Sequence, residues 1–220
     1  MVDIFDEVDE DLRAERAQEL AKRYGPAVAG VCLAVVAAAG GWQGWNWWRA
    51  QQDVKAATAY IAALSELDGG GVATEEKRKS ALAGLDALGQ SAPDGYRALA
   101  RLRAAALRAD LGDAAGAAAL WDQVAADASA DPLLRDLASL MWATRQLDQG
   151  DPSLLEARLR PLAAPGGAWR ALAKEQLALL ALRQDKPDEA KAALKALAED
   201  STAPAGVRGR CRALLDRLGA

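Results

Sequence analysis

Histidine is absent from this sequence of 220 residues. Its absence removes the usual general base near neutral pH, the commonest metal ligand and every nucleophile pair that depends on an imidazole. The two cysteines do not have the spacing of a zinc site, and no glycine-rich stretch has the preceding strand and following lysine that phosphate binding needs. The sequence therefore predicts a protein that is not an enzyme and that holds no cofactor and no metal.

Residues that favour β-strands are also scarce, with one phenylalanine and three tyrosines in the chain. Hydrophobic residues make up 51% of the sequence, and alanine supplies much of that share. Alanine and leucine lose little side-chain freedom in a helix, so this composition predicts an all-α protein. Basic and acidic residues are interspersed at a net charge of −4, which leaves no basic stripe for nucleic acid.

An uncharged segment runs from Tyr24 to Trp48. About 25 residues at about 1.5 Å each would reach roughly 37 Å, slightly more than a hydrocarbon core of about 30 Å. Aromatic residues of the kind that prefer the headgroup layer mark its ends. We therefore expect one transmembrane helix at 24–48, with anchors at Tyr24, Trp42, Trp45, Trp47 and Trp48.

Two other interpretations of this segment stay open. It could be a cleaved signal peptide, because Ala37, Ala38 and Ala39 resemble a small-residue cleavage site. It could also be a buried helix of a soluble protein. Against cleavage, an acidic stretch of more than twenty residues precedes the segment, where a signal peptide has a short basic region.

Basic residues near the two ends of the segment predict its orientation. Arg13, Arg16, Lys22 and Arg23 precede it, and fewer basic residues follow it. By the positive-inside rule, the amphipathic segment 1–23 should be cytoplasmic and the domain 49–220 should lie on the outer side of the membrane.

The domain 49–220 contains an internal repeat. Ala81, Ala117, Leu155 and Ala190 occupy equivalent positions at steps of 36, 38 and 35 residues, close to the period of about 34 for tetratricopeptide units. In each copy this position lies at the start of the second helix of a helical hairpin. The larger residues four and seven positions later should face the neighbouring hairpin. The pattern predicts a tetratricopeptide-like (TPR-like) α-solenoid.

Two features complete this prediction. The Gly69-Gly70-Gly71 stretch should form a hairpin turn, and a last helix from about Val207 to Leu218 should cap the stack. An unspecific bundle of alanine-rich helices is the alternative, because short alanine-rich segments align easily.

The inner wall of such a stack, formed by the first helix of each unit, is the usual place for a bound partner. Arginine and aromatic residues are enriched at interface positions that contribute strongly to binding. A structural role is the alternative for each of them, with tryptophans filling gaps between hairpins and arginines facing solvent. The candidates are Tyr96, Arg97, Arg101, Arg103, Arg135, Trp142, Arg145, Trp169 and Arg170.

The N-terminal third carries more specific motifs. These are the acidic start from Asp3 to Arg13, the run from Lys22 to Pro26, and the tryptophan-rich stretch from Gly41 to Arg49. In these motifs and in its architecture the chain resembles the bacterial family of ancillary SecYEG translocon subunits, whose domain shares its family name with the tetratricopeptide-like region of a cell-division coordinator.

This resemblance implies an inner-membrane protein with a periplasmic C-terminal domain. It implies lateral association with translocon subunits and a chaperone-like role toward exported or periplasmic client proteins. A scaffold for envelope assembly or cell division that binds folded partners is the alternative. The family offers no catalytic motif to match.

Overall fold

The computed structural model describes the backbone of residues 4–67 and 74–219, and the side chains of these residues except 4–21, 25–28 and 32. The predicted turn at Gly69-Gly70-Gly71 lies outside the described residues, as do most side chains of the predicted segment 1–23. The described backbone forms nine α-helices: α1 (Ile4–Ser65), α2 (Glu75–Ser91), α3 (Asp94–Asp110), α4 (Ala114–Ala126), α5 (Pro132–Gln146), α6 (Pro152–Leu162), α7 (Arg170–Arg183), α8 (Pro187–Glu199) and α9 (Ala205–Arg217).

The chain divides into two compact units, Met1–Gln52 and Asp53–Ala220. In the first unit the predicted anchors Tyr24, Trp42, Trp45, Trp47 and Trp48 are all at least half exposed. Among the residues that the structure describes, no helix is long and apolar enough to cross a membrane. The predicted transmembrane helix at 24–48 is therefore not confirmed, and the side chains of residues 25–28 and 32 within it lie outside the described ones.

Aspartates and prolines begin several helices of the second unit. The carboxylates of Asp113, Asp131 and Asp151 accept hydrogen bonds from backbone N–H groups in the first turns of α4, α5 and α6 at 2.7 to 2.9 Å. Such caps satisfy amide groups that have no partner inside the helix. Proline stands in the first turn of α5, α6 and α8, where its missing N–H costs nothing.

The turn inside each hairpin also follows the repeat. Gly112 and Asp185 occupy equivalent places after α3 and α7, and both adopt a left-handed backbone with φ of 88° and 57°. Glycine and aspartate tolerate this conformation better than most residues. A Gly-Asp turn or its equivalent therefore ends the first helix of the hairpin at these two places.

Helices that follow one another from α2 to α9 pack as consecutive hairpins. In addition α3 packs against α5, α5 against α7 and α7 against α9, whereas α4 and α6 meet through the side chains of the Arg158–Asp122 ion pair. Helices α3, α5, α7 and α9 thus form one wall of the stack. The predicted all-α stacked repeat is confirmed, and α9 covers α8 at the end where a capping helix was expected.

The repeat positions form the core. The small residues that align the copies and the larger residues four positions later are each at most 1% exposed. Because these side chains face the neighbouring helices in every copy, one alignment accounts for the burial along the whole stack. They are Ala81, Ala117, Leu155, Ala190, Leu85, Trp121, Leu159 and Leu194.

Candidate partner-binding groove

A groove opens on the wall formed by α5, α7 and α9, with a volume of about 550 Å³. We call it the inner groove. Its surface is mainly apolar, and the exposed or half-buried leucines and Met141 supply most of it. The lining residues are Leu137, Leu140, Met141, Thr144, Leu172, Glu175, Gln176, Leu179, Arg210, Ala213, Leu214 and Arg217.

These twelve residues come from four repeat positions in three successive units. Leu137, Leu172 and Arg210 are equivalent, as the steps of 35 and 38 residues show. The same steps relate Leu140, Met141 and Thr144 of α5 to their counterparts in α7 and α9. The inner groove is therefore a property of the repeat and not an accidental gap between helices.

A buried ion pair lies in the wall of the inner groove. The Glu175 carboxylate is almost fully buried, and it accepts hydrogen bonds from Nε and Nη2 of Arg210, both at 2.6 Å. The hydrogen bond with this carboxylate raises the pKa of the Arg210 guanidinium above its ordinary value. Two parallel charge-assisted bonds fix the orientation of both groups, so the pair joins α7 to α9.

Gln176 supplies an acceptor in the same wall. Its Oε1 atom is buried, and no donor among the described residues hydrogen-bonds to it. A buried acceptor without a partner costs free energy. The inner groove is thus mainly apolar at its surface, with this unpaired acceptor buried in its wall.

Two of the predicted arginines, Arg97 and Arg170, take part in a repeated junction. Arg97 donates to Ser129 Oγ at 2.8 Å, and Arg170 donates to Thr202 Oγ1 at 2.6 Å. Each hydroxyl in turn donates to an aspartate two residues earlier, Asp127 or Asp200, at 2.6 Å.

These aspartates also pair with the arginines, since Arg170 lies 2.7 Å from Asp200 and Arg97 lies 3.7 Å from Asp127. Hydrogen bonds from the hydroxyl and the backbone N–H of the following Ser or Thr, together with arginine, hold the pKa of both carboxyl groups below its usual range. The loop after the second helix of a hairpin is thereby tied to the first helix.

Two further candidate arginines contact neighbouring repeats. Arg101 donates from Nε to the Gly89 carbonyl at 2.8 Å, and Arg145 pairs with Asp110 at 2.9 Å. Arg103 stands at the same repeat position as Met141 and Gln176, which line the inner groove two and four helices later.

Arg135 occupies the repeat position of Arg97 and Arg170, but the loop after α6 has Pro165 at the position where theirs have an aspartate. Its Nε is buried and has no hydrogen-bond partner among the described residues. Tyr96 is half-buried, with its ring centroid 6.3 Å from that of Tyr60.

The two candidate tryptophans pack into the central core. Trp142 is 7% exposed, and the Arg158 guanidinium lies 3.8 Å from the centre of its ring. Trp169 is half-buried against the same core and donates from Nε1 to the Leu133 carbonyl at 3.0 Å. These contacts give both indoles a role in joining hairpins, and partner binding by them stays a prediction.

The structure does not bring the predicted residues together in one site, and none of them lines the inner groove. The groove is instead built from leucines and polar residues that were not among the candidates. A signal for it was present: the spacing of residues 137, 141 and 144 recurs at 172, 176 and 179.

Stacked hairpins that present a repeated apolar groove define a protein-interaction module. A family model described as a tetratricopeptide repeat-like domain matches residues 19–200 of the chain. Because this match covers far more than half of the 220 residues, the chain belongs to the TPR-like family. Its fold class is one that is typically non-catalytic and that binds proteins. No curated protein and no solved structure matches the chain.

Proposed function

We propose that this protein is a membrane-anchored TPR-like module that associates with the Sec translocon and acts as a chaperone-like tether for exported proteins. The inner groove carries the proposal, because it offers one apolar surface across two successive hairpins and the capping helix α9. A chain emerging from a protein-conducting channel is unfolded and exposes apolar side chains together with unpaired backbone N–H groups. The leucines and Met141 of the inner groove would contact those apolar side chains.

Membrane anchoring rests on the sequence of the first unit. The segment 24–48 carries no charge, and four tryptophans near its end are 50% to 70% exposed. The Arg49 guanidinium lies 5.4 Å from the centre of the Trp45 ring, beside a Trp45–Trp48 ring pair at 5.3 Å. Indole and arginine side chains of this kind suit the headgroup layer, where one part of each stays hydrated.

The proposal places residues 1–23 in the cytoplasm and residues 49–220 in the periplasm. Reporters fused after Arg23 and after Leu218 test this topology. A reporter active only in the cytoplasm should work at the first position and fail at the second. Activity of the same reporter after Leu218 would contradict the proposed placement of the domain.

A pair of matched variants tests the function of the inner groove. Leu179→Asp places a carboxylate in the groove, whereas Leu154→Asp makes the same change at an exposed position of α6 outside it. Affinity-tagged full chain, purified from membranes in mild detergent, should recover channel subunits. We expect Leu179→Asp to reduce that recovery severalfold, and Leu154→Asp to leave it unchanged.

The alternative function is a scaffold for envelope assembly or cell division. Arg210 and Arg217, the two arginines of α9 that line the inner groove, favour it, because folded partners present charged side chains at their surfaces. Proximity labelling from the outer domain separates the two functions. Labelling of channel subunits and chains in transit supports the tether, and labelling of envelope assembly proteins without them supports the scaffold.

A further inference from the structure

A second groove lies between α8 and α9, away from the inner groove, with a volume of about 700 Å³. We call it the basic groove. Lys191 and Lys195 line it from α8, and Arg208 and Arg212 line it from α9. Each pair is spaced by four residues, which puts its members on the same helix face one turn apart. Glu199 is the single carboxylate among the lining residues.

In the part of the stack that the structure describes, these four cationic groups lack the ion pairs that most other arginines form, although Arg103, Arg135 and Arg183 form none either. Among the described residues, none of the four forms an ion pair, whereas Arg97, Arg108, Arg158 and others each pair with an aspartate or a glutamate. Four like charges around one cavity repel one another, and the repulsion is relieved when a negative group enters. The basic groove therefore carries positive charge that is not neutralised, in a protein whose net charge is −4.

Backbone carbonyl groups hold the two arginines in place. Arg208 Nη1 donates to the Ala203 carbonyl at 2.5 Å and to the Ser201 carbonyl at 3.4 Å. Arg212 Nη2 donates to the Ala198 carbonyl at 3.2 Å. Neutral carbonyls fix each guanidinium without cancelling its charge, and they leave further N–H donors of each group for another acceptor.

We propose that the basic groove binds an acidic segment of a partner polypeptide. Carboxylates of such a segment would pair with the lysines and with the free N–H groups of the two arginines. Ala192, Ala198 and Leu215 supply the apolar part of the surface, which suits aliphatic side chains between the acids. This proposal concerns a different surface from the inner groove and does not depend on the translocon.

Two other polyanions fit the basic groove less well. Single-stranded nucleic acid binds mainly through aromatic side chains on which bases stack, and no aromatic residue is among the groove's lining. An anionic membrane favours a broad basic face, whereas these cations line a cavity between two helices.

A matched pair of double variants tests the proposal. Lys191→Gln with Lys195→Gln removes two charges from the basic groove, and both side chains are at least partly exposed, so the fold should be kept. Lys77→Gln with Lys79→Gln removes the same charge from two exposed positions of α2. The probe is a fluorescent peptide of alternating glutamate and alanine, and anisotropy is measured with the full chain in detergent micelles.

The groove variant should bind this peptide about five- to tenfold more weakly than the natural protein, since exposed ion pairs each contribute modestly. The α2 variant should bind it normally, and added salt should weaken binding to the natural protein. Equal losses in both variants, or no loss in the groove variant, would overturn the proposal. Displacement of the peptide by a single-stranded oligonucleotide or by phosphatidylglycerol at lower concentration than by unlabelled peptide would overturn the assignment of a polypeptide partner.

Discussion

Removal of the arginine from the buried Glu175–Arg210 pair should loosen the end of the helical stack. Methionine at position 210 keeps much of the volume of the side chain but donates no hydrogen bond. The carboxylate of Glu175 is only 4% exposed, so in Arg210→Met it would stay buried without a partner. Loss of one partner from a fully buried pair costs about 3–5 kcal/mol.

The expected cost here is smaller. The Arg210 side chain is 55% exposed, so water already screens part of the interaction and can reach the carboxylate once the arginine is gone. We therefore expect Arg210→Met to lower the free energy of unfolding by about 2 kcal/mol. For a chain of this size that corresponds to a fall in Tm of about 4–8 °C.

The assay combines thermal unfolding by circular dichroism with hydrogen exchange. Because Arg210 lies on α9, exchange should increase first in that helix and in the facing part of α7. Adding Glu175→Leu to the variant removes the unpaired charge and should restore most of the lost stability. This account of the pair would be refuted if the stability losses caused by Arg210→Met and by Glu175→Leu simply added in the double variant. A Tm unchanged by Arg210→Met would also refute it.

Three other predictions concern stability. Trp121→Ala, at a residue 1% exposed, should lower the free energy of unfolding by about 3–5 kcal/mol in urea titrations. Asp200 has a lowered pKa in the folded protein. Its contribution to the stability of the fold is therefore present above the unfolded pKa of about 3.9 and is lost as the pH falls toward the folded value. Asp200→Asn should be less stable than the natural protein at neutral pH and should lose less stability below about pH 4. Gly150→Ala should destabilise the protein by about 1 kcal/mol, because a Cβ there would lie 2.9 Å from the Gln146 carbonyl oxygen. Gly95 has open space around it, so Gly95→Ala should be neutral or slightly stabilising. A destabilised Gly95→Ala would contradict this use of the local geometry.

The stacked fold could be predicted from the sequence because its cause is local and repeated. Ala117, Leu155 and Ala190 recur at nearly constant steps. In every copy this position and the one four residues later are buried at a contact between helices. The burial of Trp121, Leu159 and Leu194 follows from that register alone.

The candidate site was much harder to predict, since residue type does not reveal the direction of a side chain. Arg97 and Arg170 have the chemistry of interface residues, but the Asp-x-Ser and Asp-x-Thr turns that engage them lie about thirty residues away. Leu137 and Leu172 look like core leucines in the sequence. They line the inner groove because the first helices of two successive hairpins and the capping helix α9 lie along the same wall.

The most direct test of the central claim, that the inner groove receives other proteins, is photocrosslinking from inside it. A photoreactive amino acid at Thr144 or Ala213, both exposed and both in the groove lining, should crosslink to channel subunits or to exported chains in intact membranes. The same amino acid at Leu154 on α6 should not. Equal crosslinking from all three positions, or none from the groove positions, would contradict the account.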